Sequence, residues 1–201
     1  GVPVRLVAGS SAGALNAAMI ADGRLDRLEA LWRGVSRDQV YGLRPSVFFA
    51  GLLPGWFTLL VLNSAGSLFD PSPLRDLLQT AVDFERVRLS PTQVRVVATD
   101  LTRLEKRVFT NHDLSVDVLM AASAVPGAFP PVDVGGDSFV DGGLTGRAPV
   151  LEALEGERAV DQVLVLMSYA TEERGLRPTT LARVVELSFE MSMVHQIRRD
   201  V

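Results

Sequence analysis

The chain has 201 residues, 47% hydrophobic and 22% charged, with a formal net charge of −4. That content suits one globular domain with a sizeable core rather than disorder, and the acidic balance, with Lys106 the single lysine among scattered arginines, gives no basic field for nucleic acid. Cysteine is absent, which excludes disulfides and thiolate chemistry, and with only His112 and His195 as imidazoles there is no zinc-hydrolase motif.

Read in chain order, Val4–Ala8 is a short β-like run that passes through Gly9-Ser10-Ser11-Ala12-Gly13 into an Ala-rich helix former, Ala14–Ala21. Leu25–Arg33 reads as a short amphipathic helix, followed by a Gly/Pro-punctuated stretch from Gly34 to Pro45. Val47–Leu62 carries no charge, yet Gly51, Pro54 and Gly55 interrupt it and it is shorter than the ~20 residues of a spanning helix. Two readings of it stand side by side. It is an acyl channel or interfacial cap that dips Phe48, Phe49, Trp56 and Phe57 into a lipid surface, or it is a buried helix-turn-helix.

Pro71–Val82 reads as a helix with proline at its start and Leu74, Leu77 and Leu78 on one face. Gln93–Thr99 and Lys106–Thr110 read as strands around a turn at Leu101–Glu105, and Leu114–Ser123 as a helix stopped by Val125-Pro126-Gly127. Ser138-Phe139-Val140 is a strand ending in Asp141-Gly142-Gly143. Leu151–Leu154 is a brief helix, Gln162–Met167 a buried strand and Thr179–Arg199 a long helix. Alternating strands and helices predict an α/β fold, a mainly parallel sheet sandwiched by helices, in a single domain spanning residues 1–201.

The G-x-S-x-G turn carries the chemistry. Gly9 and Gly13 remove Cβ atoms where strand and helix crowd, so Ser11 can stand in a strained conformation with Oγ exposed. Ser11 is the candidate nucleophile. Its place at a helix N-terminus offers the Ala12 N–H and the positive dipole end to an oxyanion, with Ser10 completing the elbow. A serine needs a base, and Asp141, followed by Gly142 and Gly143, is the candidate, because strand ends on one edge of an α/β sheet converge. Asp-Gly after a strand is also a common hairpin turn. The order Ser11, Asp141, His195 matches that of α/β-hydrolase triads, but His195 lies inside a helical pattern rather than on a loop after a strand. His112 falls in a polar turn.

Three blocks in this order resemble the patatin-like phospholipases, particularly their bacterial members: Val7–Asn16 around the elbow, Ala121–Pro131 (AASAVPGAFPP) and Val140-Asp141-Gly142-Gly143. Gln93–Leu101 and Ser67–Leu78 also look like the intervening family segments, so the resemblance covers most of residues 4–167. It implies a Ser11–Asp141 dyad without histidine, hydrolysing carboxylic esters of phospholipids or related acyl lipids through an acyl-serine, with no metal or organic cofactor. An aspartate at its ordinary value near 3.9 is a weak base, so the dyad needs a dry pocket, which the apolar run Val125–Pro131 is expected to supply. The acyl lipid is the expected partner, with peripheral membrane contact through Val47–Leu62 and a cytoplasmic or membrane-peripheral location.

Two departures accompany the resemblance. The family carries a glycine-rich loop upstream of the elbow that donates oxyanion-hole N–H groups, and this chain is expected to be truncated before it. Family members usually place an asparagine in D-G-G-x-x-x-N-x-P, where this chain has Arg147 before Pro149. The alternative readings are a non-catalytic lipid-binding module of the same fold and a Ser-Asp-His hydrolase.

Overall fold

The structure, a computed structural model, describes residues 3–43, 67–146, 148–156 and 160–166. Its organising element is β4 (Gln93–Asp100), in which Val94, Val96, Val97 and Ala98 are all buried. A strand apolar on successive residues has both faces covered. β1 (Leu6–Gly9) runs parallel to it, whereas β5 (Glu105–Thr110) and β7 (Asp137–Asp141) run antiparallel, and β6 (Val132–Val134) pairs with the outer edge of β7. The sheet is therefore mixed. A separate pairing joins β2 (Gly42–Leu43) to β3 (Phe69–Asp70).

The registers determine where the strand ends fall. β5 takes one edge of β4 from Arg95 to Asp100. The opposite edge is shared: β1 occupies Gln93 to Val96 and β7 occupies Ala98 to Asp100. Because β1 and β7 run in opposite directions along that edge, their C-terminal ends meet tip to tip across Val97.

Side-chain alternation along β4 assigns its two faces. Val94, Val96 and Ala98 join one core cluster with Ala14, Ala17, Ala18 and Ala21 of α1 (Ala12–Asp22) and with Val118, Leu119 and Ala122 of α5 (Val116–Ala122). The alanines of α1 let its backbone lie close to the sheet. Leu74 and Leu78 of α3 (Ser72–Ala81) enter the same cluster, as does Val87 of α4 (Phe84–Arg88). On the other face, the Arg95 guanidinium donates to the carbonyls of Glu152 and Glu155 at the end of α6 (Val150–Leu154), and Lys106 pairs with Glu152. Helical structure thus covers both faces, as the α/β pattern predicts.

α2 (Leu25–Gly34) buries no residue fully; it rests on α1 through Leu28 and Leu31 and through a 2.7 Å bond from Trp32 Nε1 to Asn16 Oδ1. At the far end of α1, the Asp22 carboxylate is buried and accepts from Arg24 Nε and Arg86 Nε, each at 2.8 Å. This ties α1 to α4, and removing either kind of partner from such a buried charge is costly.

Besides the two-residue strands β2 and β3, two elements escaped the sequence reading. α4 is a single turn started by the Asp83 side chain, which accepts from the Arg86 N–H, and β6 is three residues long. Gln162–Met167 is a correction: residues 162–166 form no strand, with Leu164 78% and Leu166 82% exposed. An apolar run becomes a strand only beside a partner ladder, and no described strand pairs with this one. Val47–Leu62 and Thr179–Arg199 lie outside the described residues. Among the described residues, no helix is long and apolar enough to cross a membrane.

Asp100 closes β4. Its Oδ1 accepts the Thr102 and Arg103 N–H groups at 2.8 and 2.9 Å, and its Oδ2 meets Arg103 Nη1 at 3.0 Å. Desolvation pushes this carboxyl up, but those donors outweigh it and hold it below the usual carboxylate range. A depressed folded value adds stability above the unfolded value near 3.9 and loses it as pH falls through the folded one. Asp100→Asn is therefore expected to lower Tm at neutral pH, with the gap to the parent narrowing below about pH 4. Thermal melts between neutral pH and pH ~3 check this, and a constant gap would contradict it.

Candidate active site

The elbow is built by crowding. A Cβ on Gly9 would fall onto the carbonyl of Gly13, so only glycine lets β1 turn so sharply into α1. Ser11 absorbs the turn at φ 56° and ψ −131°, a left-handed conformation that costs a non-glycine residue about 1–3 kcal/mol. The Gly13 N–H closes onto the Ser10 carbonyl and the Ala14 N–H onto the Ser11 carbonyl, both at 2.9 Å. Ala12, exposed at the first position of α1, presents its N–H where a helix has no internal acceptor.

Asp141 ends β7 and is 4% exposed. Its Oδ1 accepts the Gly143 N–H at 2.7 Å, which starts the 3-10 turn Gly142–Leu144. Its carbonyl accepts from Thr99 Oγ1 at 3.0 Å, and that hydroxyl also meets Thr145 Oγ1 at 2.9 Å. Gly142 is a second position where nothing larger fits. A Cβ there would fall onto the Val97 carbonyl and lie 2.8 Å from Ser10 Oγ.

These contacts interlock the two turns. Gly9 and Asp141 pair with residues two apart on β4, Val96 and Ala98, which corresponds to about 7 Å along the strand edge. Ser10 and Gly142 leave their strands in that gap, close enough that a Cβ on Gly142 would crowd Ser10 Oγ. A third segment then spans both turns. The Ser11 N–H donates to the Ala122 carbonyl at 3.0 Å, and the Asp141 N–H donates to the Ala124 carbonyl at 2.9 Å. Ala122 is the last residue of α5, so the elbow satisfies a carbonyl that the helix leaves without an internal donor. Ser123 Oγ adds a 3.4 Å bond to the Ser11 carbonyl.

Ser11 and Asp141 do converge, but not as neighbouring C-terminal ends of a parallel sheet. They converge because β7 is antiparallel to β1 on the same edge. The apolar run expected to dry the site requires another correction. Val125, Pro126, Gly127 and Pro131 are exposed, and Asp141 is instead enclosed by β4, the following turn and Ala124. The reason is that the run leaves the sheet after Ala124 to pair elsewhere, with Gly127 and Ala128 accepting from Leu68 and Phe69. His112 is exposed in the turn that follows β5, whose last residue, Thr110, lies opposite Arg95 of β4, while His195 and Arg147 lie outside the described residues.

The side chains that sequence reasoning missed are Thr99 and Ser123. Thr99 carried a signal, since a hydroxyl next to Ala98 in a buried strand needs a partner. Ser123 lies in the Ala121–Pro131 block, but nothing in the sequence says which backbone it meets. Among the described residues, no group of three or more His, Asp or Glu side chains is arranged to hold a metal ion.

No relative was found among curated proteins. The family model for patatin-like phospholipase matches residues 1–154, a span that contains the elbow, the Ala122–Ala124 bridge and the Asp141 turn. Membership of that family implies a hydrolase acting on lipid esters. With three quarters of its length under that match, the chain belongs to the patatin-like phospholipase family.

Proposed function

We propose that the chain hydrolyses carboxylic esters of phospholipids or related acyl lipids through an acyl-serine intermediate, with Ser11 as nucleophile and Asp141 as base. The observation that carries this reading is the meeting of β1 and β7 at Val97, where a strained serine at a helix N-terminus and a buried aspartate hang from one bridging segment. As Ser11 Oγ bonds to the ester carbon, its proton passes to the Asp141 carboxylate. The oxyanion meets the Ala12 N–H and the positive end of α1. Collapse breaks the ester C–O bond, and Asp141 returns the proton to the departing alcohol. A water then gives a proton to Asp141 while its oxygen bonds to the acyl carbon. The Ser11–acyl bond breaks, the proton returns to Ser11 Oγ and the fatty acid leaves. No metal or organic cofactor takes part in these steps. We assign the uncharged stretch Val47–Leu62 to the lipid surface that supplies the substrate.

Intact-mass analysis with a lipid-like fluorophosphonate tests the dyad. One adduct is expected on the parent and none on Ser11→Ala, with labelling of Asp141→Asn slowed by about 10²–10⁴, the worth of a general base; an unlabelled parent would overturn the reading. His195→Ala is expected to keep the parental turnover of an acyl ester, and its loss would point to a triad instead. For the lipid contact, replacing Trp56 and Phe57 by serine is expected to abolish flotation with anionic vesicles while the parental Tm is retained, and unfolding would show that the segment belongs to the core.

A further inference from the structure

A strained conformation at a non-glycine residue persists only where its surroundings over-determine it. At Ser11 both flanking peptide units are held by the same short segment. The Ser11 N–H donates to the Ala122 carbonyl at 3.0 Å, which restrains φ. Ser123 Oγ donates to the Ser11 carbonyl at 3.4 Å, which restrains ψ. The Ala14 N–H reaches that same carbonyl at 2.9 Å, but it belongs to α1 and ties Ser11 only to its own helix. Ser123 is what ties the carbonyl to the rest of the site, because the next carbonyl along, that of Ala124, accepts the Asp141 N–H at 2.9 Å.

We infer that Ser123 is a positioning residue of the dyad, its hydroxyl holding the Ser11 carbonyl and through it the direction of Ser11 Oγ relative to Asp141. The inference rests on the reading of Ser11 as nucleophile. Ser123 is half-buried and sits just after α5, with its own N–H satisfied by the Met120 carbonyl at 3.2 Å. Removing its hydroxyl therefore leaves the backbone bonds of the bridge in place. What is lost is one restraint on a strained residue, and small misplacements of a reacting group are expensive in rate.

The test measures the rate at which the fluorophosphonate labels Ser11, as a function of probe concentration, in the parent, Ser123→Ala and Ser123→Thr. In Ser123→Ala the limiting rate is expected to fall about five- to tenfold, the scale of one neutral hydrogen bond. The half-saturating concentration and Tm should stay at the parental values, and Ser123→Thr, which keeps the hydroxyl, should restore the limiting rate. Parental labelling of Ser123→Ala would overturn this inference alone, because the parent still labels at Ser11. A rate that falls together with Tm and is not restored by threonine would also overturn it, by assigning Ser123 a packing role. An unlabelled parent would overturn the nucleophile reading and this inference with it.

Discussion

The site depends on a single spatial constraint: two strands of opposite direction share one edge of β4, and their ends stop one residue apart. Neither β1 nor β7 can extend without running into the other. Both chains therefore leave the sheet at Val97, where their turns crowd each other. That is why glycine stands at Gly142, where a Cβ would strike the Val97 carbonyl and crowd Ser10 Oγ, whereas Gly9 is required by its own turn, where a Cβ would strike the Gly13 carbonyl. Crowding leaves a mark at Ser10, whose Oγ is buried without a hydrogen-bond partner among the described residues. An orphaned buried hydroxyl costs about 1–3 kcal/mol, offset here by the packing that brings the turns together.

The strain at Ser11 is the local consequence of that constraint. Its conformation is sustained by bonds on both sides, from the end of α5 and from the first turn of α1. The same bridge continues away from Ser11 and Asp141. After Ala124 the chain pairs with β3, and Phe129 stacks near Tyr41 and Phe69 with ring centroids 6.3 and 6.1 Å away, the latter two being 4.4 Å apart. The bridge is thus anchored at one end by the α5 core and at the other by an aromatic group, which makes it a firm mount for the two turns.

The arrangement also explains how a serine and an aspartate suffice for the proposed chemistry. In that proposal the base comes from the end of a strand that meets the nucleophile's turn at Val97. Thr99 fixes the Asp141 backbone from the other face of β4, and the Gly143 N–H orients the carboxylate. Beside these turns Val125 and Leu144 are 39% and 40% exposed.

The sequence by itself determined the local pieces. Glycines at Gly9 and Gly13 around a serine, between a β-branched run and an alanine-rich one, dictate a strand-turn-helix whatever surrounds them, and Pro73 near the start of α3 or the Asp141-Gly142-Gly143 turn act over a few residues. The helices α1, α2, α3 and α5 and the strands β1, β4, β5 and β7 were legible for that reason, as was the candidacy of Ser11 and Asp141. Tertiary structure decided the rest. Strand direction within the sheet, the sharing of one β4 edge, and the pairing of Ala122 and Ala124 with residues more than a hundred and about twenty positions away in the chain, respectively, arise from long-range hydrogen bonds. Such bonds join backbone groups that every residue carries alike, so no side-chain pattern records their partners. The run at 162–166 shows the converse, since its apolar residues satisfy a strand pattern but find no described ladder to join.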